Sequence, residues 1–170
     1  MHIQKPVPYS QAFTTRPPRE VVIAIVKDPQ GKYNPITLGM FTHVSFQPPI
    51  VAIAIHVANY SLEAIWGARE FVIALPSVGQ KREAEVWGAK SGRDCDKLAL
   101  TETKVVPATK IDSVLLPEAA ANFECKLVGE MAAGTHFVLL GEVVASHVAE
   151  PAVARLYILG PGQAMGELPG

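Results

Sequence analysis

The sequence has only two cysteines, Cys95 and Cys125, and they lie far apart. It has no Cys-x-x-Cys pair, and its histidines do not cluster at zinc spacing. A structural zinc site and a disulfide scaffold are therefore both disfavoured. No sign of charge dominates: 15 basic residues face 16 acidic ones, and no basic run is interleaved with aromatics. That removes the general positive field a nucleic-acid binder relies on. Long apolar runs are missing too. The longest, residues 21–26 and 50–55, fall far short of the roughly 20 residues a membrane helix needs. Residues 1–19 lack the apolar centre of a secretory signal and carry Pro6, Pro8, Pro17 and Pro18, so they read as an extended arm with His2 in a loose terminus. The resulting expectation is a cytoplasmic protein with no membrane and no nucleic-acid partner.

What is present is enough apolar material, 49% of 170 residues, to build one domain over residues 1–170 around a proper core. Residues 20–27 form a β-branched run that ends at the turn Asp28-Pro29-Gln30-Gly31. One strand is expected over 36–45, broken by Gln47-Pro48-Pro49, and another over 50–57, buried on both faces. This order suits an antiparallel meander better than a βαβ unit. A short helix is expected over 62–68 with Ser61 as its N-cap, and a strand over 71–75 ended by Pro76. A helix with one apolar side follows over 80–90, then a second one that Asp94 would cap. Residues 104–117 are mixed. Residues 122–131 alternate, with Phe123, Cys125 and Leu127 on one face, so Cys125 reads as core and Cys95, in a polar stretch, as exposed. The turn Ala133-Gly134 leads into a long strand over 135–148, bent near Gly141, and residues 151–170 form a tail. Six or seven strands with helices inserted between them fit a mainly β fold, an antiparallel barrel with no exposed edges.

Several chemistries are absent. Gly88, Gly92 and the glycines from 160 to 166 do not join a strand to a helix as a dinucleotide loop would, and neither a Walker loop nor a Gly-x-Ser-x-Gly elbow exists. His136 and His147 share a strand at odd spacing, which would put them on opposite faces. One candidate anion site remains. Asn59-Tyr60-Ser61 joins a strand to a helix start, where free backbone N–H groups and a hydroxyl can receive a phosphate; a plain helix cap would look the same.

The order of several segments carries more information than any one of them. Asn34-Pro-Ile-Thr-Leu-Gly-Met-Phe-Thr-His-Val-Ser-Phe-Gln-Pro-Pro49 resembles the signature strand of the flavin reductase-like, FMN-binding split-barrel family. Asn59-Tyr60-Ser61, Glu70-Phe-Val-Ile-Ala-Leu-Pro76, Ser91-Gly-Arg-Asp-Cys-Asp-Lys97, and Gly134-Thr-His136 with Gly141-Glu-Val143 follow in the family's order. The resemblance covers roughly residues 16–150 and implies an antiparallel Greek-key split β-barrel that binds FMN. It implies that Asn34, Thr37, Leu38, Gly39, Met40, Phe41 and Thr42 line the flavin ring and ribityl chain. Asn59, Tyr60 and Ser61 would lie at the phosphate or ribityl end, and Lys97 and His136 would contact the flavin. No side chain need act as an acid or base, since the flavin carries the chemistry. Two positions depart from the pattern: Met40 stands where relatives often carry Trp, and Tyr157 is the only aromatic near the tail.

The function this implies is a homodimeric flavoprotein that takes electrons from NAD(P)H and passes them through FMN to free flavin, ferric iron or a redox protein. The residues leave FAD open. Two alternatives stand beside it: a flavoredoxin-like carrier reduced by a protein partner, and a flavin-free interaction or ligand-binding barrel. A pyridoxamine phosphate oxidase-like activity, which shares the split barrel, fits the quoted segments less well.

Overall fold

The computed structural model describes residues 4–168; His2 and the extreme ends of the arm and tail lie outside the described residues. In chain order the elements are α1 (Tyr9–Phe13), β1 (Arg19–Glu20), β2 (Val22–Lys27), β3 (Tyr33–Leu38), β4 (Phe41–Phe46), β5 (Pro49–His56), α2 (Tyr60–Ala68), β6 (Glu70–Leu75), α3 (Lys81–Ala89), α4 (Lys97–Thr101), β7 (Val106–Pro107), β8 (Val114–Leu115), β9 (Ala121–Ala133), β10 (His136–Val148), β11 (Tyr157–Ile158) and β12 (Met165–Gly166). Seven strands form one antiparallel sheet in the order β3-β2-β6-β9-β10-β5-β4.

The strand expected over 36–45 is two strands. It breaks at Gly39-Met40, and its halves pair at opposite edges of the sheet, β3 with β2 and β4 with β5. A Cα-to-Cα step from Leu38 to Phe41 spans at most about 10 Å. The two edges of a seven-stranded sheet therefore meet at this link, and the sheet has to curl round to bring them together. This is the antiparallel split-barrel arrangement.

Burial follows from that curl. Along β2, Val22, Ala24 and Val26 face the barrel interior with Val51, Ile53, Ile55, Phe71, Ile73 and Leu139. Their neighbours Val21, Ile23 and Ile25 face outward into a second core with Val72, Ala74, Trp87, Leu116, Leu156 and Ile158. Burial on both faces thus belongs to β2 and β6, and it explains their unbroken apolar runs. In β5, by contrast, Ile50, Ala54 and His56 are only half-buried. Helix α2 inserts Leu62 and Ile65 into the interior, while α3 lays Ala84 and Trp87 over the outer core.

Other elements also differ from expectation. The arm contains the short helix α1, and β1 pairs with β11 of the tail, so the two ends of the chain fold onto one another. Asp96, not Asp94, caps α4: its carboxylate accepts the Ala99 N–H at 3.0 Å. The pairing of β9 with β10 shifts register at Leu140/Gly141, as the bend at Gly141 suggested, and again between Val143 and Ala145. Both cysteines are free; Cys125 is core, as expected, and Cys95 is half-buried. Among the described residues no helix is long and apolar enough to cross a membrane.

One charged side chain among the described residues is wholly buried in this packing. The Glu124 carboxylate on β9 accepts hydrogen bonds from the Thr109 N–H (2.9 Å) and hydroxyl (2.7 Å), from the Lys110 N–H (2.6 Å) and from His147 Nε2 (2.7 Å). Burial alone would raise its pKa, but the bonds from Thr109, His147 and Lys110 prevail and hold it at about 2. The ordinary value is 4.5, so its stabilisation is complete above that pH and is lost as pH falls towards 2. Glu124→Ala, which strands these donors, should cost about 3 kcal/mol in urea unfolding at pH 7. The difference from wild type should shrink steadily below pH 4.5.

Candidate functional site

Two cavities meet along the C-terminal half of α3. The first, of about 390 Å³, is bounded by Ile36 on β3, by the start of α2 (Ala58 to Ser61), by Gly88 to Asp94 and by Lys97. The second, of about 650 Å³, is lined by Thr37, Gly39 and Met40 at the strand break, by Ala84, Glu85, Gly88 and Ala89 of α3, and by Phe13, Arg19, Ile158 and residues 162–165 from the two ends of the chain. Gly88 and Ala89 line both, so the cavities adjoin along α3 as the two halves of a trough.

The first cavity is polar and positively charged, with Lys90, Arg93 and Lys97 against a single acid, Asp94. Lys97 is only 3% exposed. Its ammonium donates to the carbonyls of Pro35 and Trp87, and the Trp87 Nε1–H donates back to the Lys97 carbonyl at 3.2 Å. These bonds tie α3 and α4 to β3. Burial pulls the Lys97 pKa down to about 8, against a small opposing effect of Cys95. Arg93 Nη1 donates to the Ala58 carbonyl at 3.1 Å, its Nη2 pairs with Glu63, and the guanidinium lies 5.2 Å from the Tyr60 ring centroid.

Ser61 does not cap α2. The cap position is Asn59, and Ser61 lies inside the first turn, where its buried hydroxyl accepts a hydrogen bond from Asn34 Nδ2 at 2.8 Å. The first amides of α2 thus border the cavity together with this hydroxyl. Gly92 packs directly on Asn34: a Cβ there would stand 2.2 Å from Asn34 Oδ1, so any side chain would push the Ser91–Arg93 turn off β3.

The second cavity is more apolar. Phe13, Met40, Ile158 and Met165 supply hydrophobic wall, and Arg19 and Glu85 are its charged residues. Thr37 fastens α3 to the strand through a 2.6 Å bond from its hydroxyl to the Ala84 carbonyl.

Of the residues expected at a flavin site, Asn59, Tyr60, Ser61 and Lys97 come together in the first cavity and Thr37, Gly39 and Met40 in the second. Asn34 sits behind the first cavity, against Ser61 and Gly92. Leu38 and Phe41 belong to the barrel core, and Thr42 is exposed on β4. His136 lines neither cavity; it lies opposite His56 across β10 and β5, with ring centroids 5.1 Å apart. His147 is engaged by Glu124 near the other end of β10. Ser91 and Arg93 also line the trough; they belong to the Ser91–Lys97 segment, whose family resemblance pointed to Lys97 alone. Phe13 and Arg19 come from a Pro-rich arm whose sequence carries no periodic signal.

An uncharacterised protein of Archaeoglobus fulgidus is 28% identical over 113 residues, 66% of this chain; the match spans 64% of that relative's length, just under two thirds. An NADH:riboflavin 5'-phosphate oxidoreductase of Streptomyces pristinaespiralis is 26% identical over 78% of this chain and 72% of its own. The flavoredoxin of Desulfovibrio vulgaris (Miyazaki F) superposes with a TM-score of 0.82 at 21% identity, covering 91% of this chain and 88% of its own, which shows a shared fold. Residues 14–162, which include most of the trough's lining, match the flavin reductase like domain, and the chain belongs to that family.

Proposed function

We propose that this protein is an oxidoreductase that holds FMN in the trough and uses it to pass electrons from a nicotinamide nucleotide to an acceptor. The observation that carries this reading is the division of the trough into a cationic half and an apolar half of a size suited to a mononucleotide with a planar ring. The donors of the first cavity fit a phosphate: Lys97 and Arg93 supply charge, the Ser61 hydroxyl and the first amides of α2 supply directed hydrogen bonds, and Asn34 fixes that hydroxyl from behind. The second cavity fits the ring, with Met40 on one wall and Phe13 on another. FMN is read over FAD on the family resemblance. The donor is read as NADH or NADPH, in line with the Streptomyces NADH:riboflavin 5'-phosphate oxidoreductase. A homodimer in the cytoplasm completes the proposal, on the family resemblance.

When bound, the flavin supplies two-electron acceptance and return. The chain's residues bind, orient and shield it, and none of them is required to transfer a proton. The purified chain mixed with FMN and desalted should keep a flavin absorption spectrum, and excess NADH or NADPH without oxygen should bleach it. A protein that keeps FMN but is bleached by neither would be a carrier served by another protein. One that keeps none would contradict the proposal. Arg93→Gln should weaken FMN binding about tenfold or more, the worth of a charge-assisted bond.

The depressed pKa of Lys97 gives a further expectation. Below about pH 8 its ammonium is already charged, so FMN affinity should not change with pH through this group. Above that pH, binding the phosphate requires Lys97 to take up a proton, so the Kd should rise by up to about tenfold per pH unit. Fluorescence titrations between pH 7 and 9.5 should show this rise in wild type, and Lys97→Gln should bind weakly with a flat profile.

A further inference from the structure

We propose that Arg19, carried on the N-terminal arm, is the residue that positions the flavin ring and sets its redox potential. This deepens the reading of the trough given above and rests on it. The guanidinium is half-buried at the wall of the second cavity, where Nη1 donates to the Gly39 carbonyl at 2.9 Å and Nη2 to Gln163 Oε1 at 3.1 Å. Its Cζ lies 5.8 Å from the Phe13 ring centroid. Arg19 therefore joins three separate parts of the chain at one point: the arm, the strand break and the tail.

The seat is shaped for it. A Cβ built on Gly39 would stand 1.9 Å from Arg19 Nη1 and 2.9 Å from Cζ, so a residue without a side chain is what lets the guanidinium reach the strand break. Two of its five N–H groups have partners among the described residues and three do not. It is also the one cation among the described residues lining the apolar half, and its one acidic counterpart, Glu85, is exposed on α3. A fixed positive charge with spare donors, set in an apolar wall, matches the oxygen-bearing edge of a flavin ring. The same charge favours the electron-rich reduced form over the oxidised one and so raises the potential.

The test is a set of FMN affinities and midpoint potentials for wild type, Arg19→Gln, Gly39→Ala, the double variant and Arg16→Gln, with melting temperatures recorded to confirm folding. Arg16 lies 5.5 Å from the same Phe13 ring but does not line the cavity. Arg19→Gln should bind oxidised FMN about tenfold more weakly. Its loss for the reduced form should be about tenfold greater still, a fall of about 30 mV in the two-electron potential. Gly39→Ala, which fills the seat with a methyl group while keeping the charged residue, should give a similar loss, and the double variant should be no worse than either single one. Arg16→Gln should match wild type. Arg19→Gln with wild-type affinity and potential, additive losses in the double variant, or an equal loss in Arg16→Gln would overturn the inference while leaving the flavin reading in place. A wild-type protein that binds no flavin would overturn both.

Discussion

The fold depends on one link. Gly39 and Met40 join the strands at the two edges of a seven-stranded antiparallel sheet, and so short a connection forces those edges together. The curl buries alternate residues of β2 and β6 in two different cores, one inside the barrel and one beneath α3 and the tail. At the link itself, backbone that would otherwise continue a ladder opens a gap. Into that gap the arm brings Phe13 and Arg19, and the tail brings residues 162–165. The trough is a consequence of how the sheet ends, and its walls come from parts of the chain more than a hundred residues apart.

The polar half has a different origin. Lys97 lies almost out of solvent yet stays bonded to two carbonyls, one on β3 and one at the end of α3. Burying an amine is unfavourable, and this burial pulls its pKa down to about 8. An anion bound beside it would relieve the penalty, so a group that weakens the empty fold would strengthen the bound one. Asn34, Ser61 and Gly92 hold the facing wall by close packing, which leaves the Ser91–Arg93 turn little freedom to drift.

Much of this was legible in the sequence. The β-branched runs and the turn at Asp28–Gly31 were enough to indicate an antiparallel barrel, and the family resemblance of Asn34–Pro49, Asn59–Ser61 and Ser91–Lys97 brought Asn59, Tyr60, Ser61, Lys97, Thr37, Gly39 and Met40 forward as candidate site residues. What was not legible depends on distance along the chain. Residues 36–45 look like one strand because pattern does not report which partner each half will pair with. Ser61 looks like a cap because its partner, Asn34, lies 27 positions away. Arg19 gives no signal in a Pro-rich arm, since its role comes from a notch at Gly39 that exists only once the strand has broken. His136 shares a strand with residues of the barrel wall, but pairing sets it against His56 and away from both cavities.

In the proposed arrangement the cationic half of the trough holds a phosphate while the apolar half holds a planar ring. Comparing the affinities of FMN and riboflavin, which differ only in the phosphate, tests this most directly. A phosphate held by Lys97, Arg93 and the start of α2 predicts FMN binding tighter by at least about a hundredfold, the worth of two or more charge-assisted bonds. Equal affinities, or tighter binding of riboflavin, would contradict the account.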